Sequence, residues 1–304
     1  MNLCYEIAVR LYRYRMRNRQ LDADSRDSAP ERYWQWQFET SADYFPKFWN
    51  LLEVISGKRV LDIGCGLGGR TCYLATKAPQ LIVGTDINAH EIDQAGKIAN
   101  EQLDSEAKKR VKFIKVDESK PPDLEPFDIV LLVDSFEHLK NPVAMLDLAY
   151  SMVHPGGVCY FSTMGWYNHR GAHIGSIVPI PFVNVFFSDR CILDALRRIL
   201  SSPYYVPDMW DSNPPVRRWE GITDLKDRPG EYLNKITVRG IKDVVAESAF
   251  IKKRVRVTGF SWRKFSVLRC LNFLARIPVI QEVYHSVVFG RLEKGDGHEP
   301  AAPL

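Results

Sequence analysis

Short apolar runs alternate with longer mixed stretches through the middle of the chain. Val60 to Ile63, Leu81 to Val83, Val111 to Val116, Phe127 to Val133 and Val158 to Phe161 read as strands. Near-continuous apolarity over so few residues is the pattern of strands buried on both faces. Between the first two runs lies enough chain for the crossover helix that parallel pairing requires, and Pro79 stops that helix. A second crossover covers Ala89 to Glu106 and a third Val143 to Val153. Alternation of this kind predicts an α/β fold, a doubly wound and mostly parallel sheet.

The flanks have a different rhythm. Leu3, Ile7, Leu11 and Tyr14 fall at helical spacing, which predicts an amphipathic helix with these residues as its apolar stripe. Ser28 with Pro30, and Ser41 with Pro46, mark further helix starts. The stretch around them is densely aromatic, with Tyr33, Trp34, Trp36, Phe38, Tyr44, Phe45, Phe48 and Trp49. Core packing accounts for most of these rings, and a few are candidates to line a substrate pocket or to face a cation. Towards the other end, 236–248 reads as a helix, 251–261 as an edge strand, 265–277 as a helix and 282–292 as a final strand. Residues 294–304 are polar, contain Gly and Pro, and are expected to be disordered.

Composition narrows the classes. A chain of 304 residues buries a substantial core. It has no apolar run of membrane-spanning length and no secretory leader, so a soluble, cytoplasmic protein is expected. Its six cysteines show no metal-binding spacing and read as reduced thiols. Charge is more telling in its distribution than in its total. The first 20 residues hold Arg10, Arg13, Arg15, Arg17 and Arg19 against Glu6, which equals the whole net charge of +4. Packing of this helix on the protein's own core, a lid over the site, and docking on an anionic membrane or an acidic carrier protein are its alternative roles. A nucleic-acid surface would need basic residues spread over a face, and the neutral remainder argues against one.

The candidate chemistry begins after the first strand. Gly64, Gly66 and Gly69 satisfy a dinucleotide-binding spacing, and Asp86 follows about twenty residues on, where it can bind ribose hydroxyls. The glycine pattern alone admits either a nicotinamide dinucleotide or another adenosyl cofactor. Asp62 shifts the balance, because a carboxylate there repels a pyrophosphate but accepts hydrogen bonds from a cationic amino group. S-adenosylmethionine carries such a group and no phosphate.

Five segments in order carry a resemblance to a known family. They are Val60-Leu-Asp-Ile-Gly-Cys-Gly-Leu-Gly68, Gly84-Thr-Asp-Ile-Asn88, Val111 to Asp117, Phe127 to Pro142, and His154-Pro-Gly-Gly-Val-Cys-Tyr-Phe-Ser162. On these the chain resembles the class I S-adenosylmethionine-dependent methyltransferases, in particular the small-molecule type 11 branch. The resemblance implies a seven-stranded Rossmann-like methyltransferase sheet whose last strand inserts antiparallel beside the fifth. It also implies cofactor contacts from Asp62, Gly64, Cys65, Gly66, Gly68, Asp86, Ile87, Asp117, Glu118 and Asp134. In this frame residues 1–56 form a helical lid, 57–163 the cofactor-binding core, 164–229 a substrate cap insertion, 230–293 the rest of the sheet, and 294–304 a tail.

The expected reaction is methyl transfer to a small, partly apolar acceptor, at a hydroxyl oxygen first and at carbon or nitrogen as the alternative. Such a displacement needs alignment and, for a hydroxyl, a base. His169 and His173 in the cap, and His138 beyond the fourth strand, are the base candidates, since imidazole titrates near neutrality. Gly171 between the two cap histidines weakens a shared helix face, so no metal site is expected. A nicotinamide dehydrogenase, and a cofactor-binding subunit without turnover, remain the competing readings.

Overall fold

The computed structural model describes residues 2–19, 29–117, 124–206, 234–260 and 266–296. The expected tail beyond residue 296, the cap beyond residue 206, Ser28 and Glu118 lie outside the described residues. The chain forms two compact units, one of residues 1–32, 164–239 and 257–286, the other of 33–163, 240–256 and 287–304. Residues 1–56, expected as one lid, are thus shared between both units.

The second unit is built on the sheet. Its strands are β1 (Arg59–Ile63), β2 (Leu81–Asp86), β3 (Val111–Lys115), β4 (Phe127–Val133), β5 (Val153–Thr163), β6 (Lys252–Val257) and β7 (Val288–Glu293). They lie in the order β3-β2-β1-β4-β5-β7-β6. β1 pairs in parallel with β2 and β4, β2 with β3, and β4 with β5, while β7 runs antiparallel to β5. The fold class and the antiparallel insertion are as expected. Helix α4 (Gly69–Ala75) follows β1, α5 (Ala89–Gln102) and α6 (Ser105–Arg110) follow β2, and α7 (Pro142–Met152) follows β4. Their starts are set by local chemistry. The Asn88 side chain accepts from the backbone N–H of His90 and Glu91, Asp104 does so for Glu106 and Ala107, and Asn141 caps α7 ahead of Pro142.

The aromatic prelude is mostly core. Helix α2 (Ala29–Tyr44) contributes Trp34, and the turn after it contributes Phe45 and Phe48, to a cluster with Leu51 of α3 (Leu51–Val54), Ile82, Leu131, Tyr160 and Phe289. Phe48 meets Phe289 edge to face at 4.9 Å. A Cβ on Gly69 would lie 2.5 Å from the Trp34 carbonyl oxygen, so only glycine lets α2 approach the start of α4 this closely.

The first unit packs α1 (Leu3–Arg19) with α8 (Val183–Phe186) and α9 (Asp189–Leu200). Here one expectation is corrected. The buried face of α1 is Cys4, Ala8 and Tyr12, whereas Leu3, Ile7, Leu11 and Tyr14 are exposed. The small side chains of Cys4 and Ala8 give the closer approach to Leu193 and Leu196 of α9, and the larger stripe is left outside. Helix α10 (Val238–Glu247) is capped by Glu282, whose carboxylate accepts from the backbone N–H of Val238 and Arg239 at 2.8 Å each. Residues 266–276, within the helix expected over 265–277, wind as a 3₁₀ helix. The final strand starts at Val288 rather than 282, since Ile280–Glu282 form another 3₁₀ turn.

Candidate functional site

Strand order reverses beside β1, whose neighbours are β2 on one side and β4 on the other. In open sheets of this kind ligands bind at the carboxyl ends of the strands at such a point. The turn after β1 meets that requirement with three glycines in left-handed conformation, Gly64 at φ +77°, Gly66 at +54° and Gly68 at +73°. A Cβ at Gly68 would sit 2.4 Å from Phe113, and one at Gly64 would press on Ser135 at 3.0 Å. The β1 turn therefore touches both β3 and the loop after β4.

The carboxylates at the strand ends are arranged differently from one another. Asp86, half-buried at the end of β2, accepts from the backbone N–H of Gly66 on Oδ2 at 3.0 Å and of Asn88 on Oδ1 at 2.9 Å. Each oxygen keeps a lone pair, which suits a vicinal diol. Asp62 is buried, and its Oδ2 accepts from the Thr71 hydroxyl at 2.6 Å. Burial pushes its carboxyl up to about 6, against the opposing pull of Thr71 and Arg70. Cys65 is buried beside them, and burial raises its thiol far from reactivity, so it lines the turn as an apolar wall. Ile87 and Asp117, at the ends of β2 and β3, are exposed.

Asp134, at the end of β4, has its carboxylate taken by the protein itself. Oδ1 accepts from Tyr44 at 2.6 Å and from Ser162 at 2.8 Å, and Oδ2 accepts from Arg70 at 2.6 Å. The Arg70 guanidinium also lies 4.4 Å from the centroid of the Tyr44 ring. These bonds hold Asp134 at φ +51°, a conformation a non-glycine residue adopts only when its surroundings enforce it. Burial alone would raise its carboxyl, and Arg70, Tyr44 and Ser162 outweigh that and hold it below the usual range. Glu137 follows in the turn after β4, buried, with Oε2 accepting from Thr163 at 2.8 Å. Burial and the charge of Asp134 raise it to about 8.

The histidines separate by environment. His138 is exposed on the turn after β4, three residues beyond Ser135. His169 and His173 belong to the other unit. His169 sits edge to face with Phe260 at 4.9 Å, and burial followed by the Arg170 charge lowers its imidazole to about 4. His173 has φ +53° and donates its backbone N–H to the Arg170 carbonyl. His285, which carries no sequence signal, is fully buried in the same unit, where its Nε2 accepts from the Gly165 N–H at 3.0 Å.

A sheet of this order, with a glycine turn after β1 and an acid at the end of β2, has the architecture of a Rossmann-like nucleotide-binding fold. The methyltransferase-domain family matches residues 33–198, and the chain belongs to it, among the class I methyltransferases that use S-adenosylmethionine. This removes the nicotinamide alternative. The chain is 30% identical over 110 residues to a ubiquinone biosynthesis O-methyltransferase of Psychrobacter cryohalolentis, covering 36% of this chain and 42% of that one. It is 30% identical over 118 residues to the protein of that description from Hydrogenovibrio crunogenus, covering 39% and 47%. The chain thus matches less than half the length of these relatives. A crystal structure of an S-adenosylmethionine-dependent methyltransferase from Mesorhizobium loti shares the fold at 14% identity and a TM-score of 0.50, over 82% of this chain and 97% of that one. Among the described residues, no helix is long and apolar enough to cross a membrane.

Proposed function

We propose that the protein transfers a methyl group from S-adenosylmethionine to a hydroxyl oxygen of a small, partly apolar acceptor. The observation that carries this reading is Asp86, engaged by two backbone N–H groups yet left with lone pairs beside the left-handed glycine turn. Similarity to relatives described as O-methyltransferases supports oxygen as the acceptor atom.

The bound cofactor supplies an electrophilic methyl group on a sulfonium. Asp86 takes the ribose hydroxyls, and the free oxygen of Asp62 takes the amino group of the methionine portion. The glycines admit that portion, with Cys65 and Ile87 as apolar walls, and Asp117 borders the adenine edge. Asp134 acts at one remove, by fixing the end of β4 through Tyr44 and Arg70. Transfer of the methyl to the acceptor oxygen would break the sulfonium–methyl bond and leave S-adenosylhomocysteine, and the acceptor's proton would pass to a base of this chain. His138 suits this role, because it is exposed on the loop whose Ser135 abuts Gly64. His169 is a weak base once its imidazole is lowered to about 4, which leaves the base role to His138.

Thermal shift is the direct test, since a ligand that binds the native state raises its melting temperature. S-adenosylhomocysteine stabilises the protein and NAD does not. Asp86→Ala removes the shift, and an unchanged shift in that variant would refute the ribose assignment. With labelled donor and a panel of phenols, catechols and amines, label transfer to hydroxyls is expected, and His138→Gln lowers kcat about 100-fold or more. Transfer to amines alone would overturn the acceptor atom.

A further inference from the structure

The first unit exposes large hydrophobic side chains on two separate elements. On α1, Leu3, Ile7, Leu11 and Tyr14 face outward, with Leu3 60% and Tyr14 69% exposed. Arg10, Arg13 and Arg17 are exposed on the same outer side, at positions that continue the helical spacing. The adjoining face, Cys4, Ala8 and Tyr12, is the one used for packing. The second element is the 3₁₀ segment, where Phe273, Ile277, Val279, Ile280 and Val283 are exposed, Val279 by 82%. Arg269 and Arg276 are exposed among them. The acid of that segment, Glu282, is occupied in capping α10.

Soluble surfaces seldom leave so many large apolar groups in one compact unit, and such groups mark interaction sites. Charge selects the occupant. Residues 1–20 carry the equivalent of the whole net charge, and both elements set arginines beside apolar groups. Arginine stems can lie along an apolar boundary while their guanidinium groups meet phosphates. We infer that the first unit docks on the surface of an anionic lipid bilayer, with α1 lying in the interface and the 273–283 segment as a second apolar anchor. The helix lies on the membrane rather than crossing it. Docking of this kind is independent of the acceptor atom and of methyl transfer itself.

The test is co-sedimentation of the full chain with vesicles of phosphatidylcholine alone or mixed with phosphatidylglycerol. Sedimentation with the anionic vesicles only, weakened by salt, is expected. Ile7→Glu with Leu11→Glu, and separately Val279→Glu with Ile280→Glu, abolish it. Arg10→Glu with Arg17→Glu weakens partitioning by at least about fivefold per arginine removed. An unchanged thermal shift with S-adenosylhomocysteine shows that each variant is folded, and the arginine variant tests docking without touching an apolar contact. Absence of sedimentation with anionic vesicles, or equal sedimentation with neutral ones, overturns the inference. So does light scattering that shows a dimer which the apolar variants split, because the covering partner is then a second copy.

Discussion

Asp62 shows how burial can prepare a carboxylate for a cationic partner. Its surroundings push the carboxyl up to about 6, so near neutrality it is ionised but incompletely compensated. In the proposed binding mode, an amino group from the cofactor supplies the missing charge. The sign follows from the shift. The folded group is raised above its unfolded value, so its contribution to stability is present below pH 3.8 and is lost as pH rises through about 6. Cofactor affinity moves the other way, because only the ionised carboxylate attracts the ammonium. Titration calorimetry with S-adenosylhomocysteine should show binding that strengthens from pH 5 to pH 7 and then levels, with the midpoint near 6. Asp62→Asn weakens binding by about 10- to 100-fold, the worth of a hydrogen bond to a charged group, and flattens that dependence. If the variant keeps the same pH profile, the profile belongs to another group.

Between elements, Tyr44 of α2, Arg70 of α4, Asp134 after β4 and Ser162 of β5 form one connected polar group in the sheet unit. Three elements distant in sequence are tied to the one carboxylate of Asp134, which holds a left-handed backbone. Tyr44→Phe removes one donor and is expected to cost about 1 kcal/mol, measured by denaturant unfolding. Arg70→Met strands a buried charge and is expected to cost about 3–5 kcal/mol. Both should raise KM for the donor more than they lower kcat, since they loosen the β4 loop against Gly64 without removing a reacting group. A loss confined to kcat would place Asp134 in direct contact with the reaction instead. This group also marks the limit of sequence reading. The strands and glycine turn were legible because their signals are local, namely apolar runs, Pro79, and glycines at a fixed spacing. The Tyr44 contact was not, because nothing in an aromatic helix distinguishes the one ring that reaches Asp134 from those that pack in the core. The packed face of α1 was missed for a related reason. Spacing identifies two candidate faces, and the choice between them depends on the shape of α9.

At the scale of the whole molecule, the buried titratable groups lead us to expect different responses of the two compact units to mild acid. The first holds His169 and His285, both lowered to about 4, by burial in each case, with Arg170 adding for His169 and His169 itself for His285. A histidine lowered on folding binds fewer protons in the native state than in the unfolded one. Its contribution is therefore complete above pH 6.5 and is lost as pH falls towards about 4. Each group accounts for on the order of 1 to 3 kcal/mol across that window. In the second unit, the buried carboxyls of Asp62 and Glu137 are raised, so the same acidification protonates them at no cost to the fold. Asp134, held low by Arg70, yields only at still lower pH. Hydrogen exchange between pH 7 and pH 4.5 should therefore show amides of α1, α9 and residues 164–180 losing protection ahead of those in β1, β4 and β5. His169→Phe keeps the contacts with Phe182 and Phe260 while removing one titrating group, and should retain more of that protection at pH 5 than the native chain. Equal loss of protection in both units at the same pH would show that a group outside these two histidines sets the acid limit.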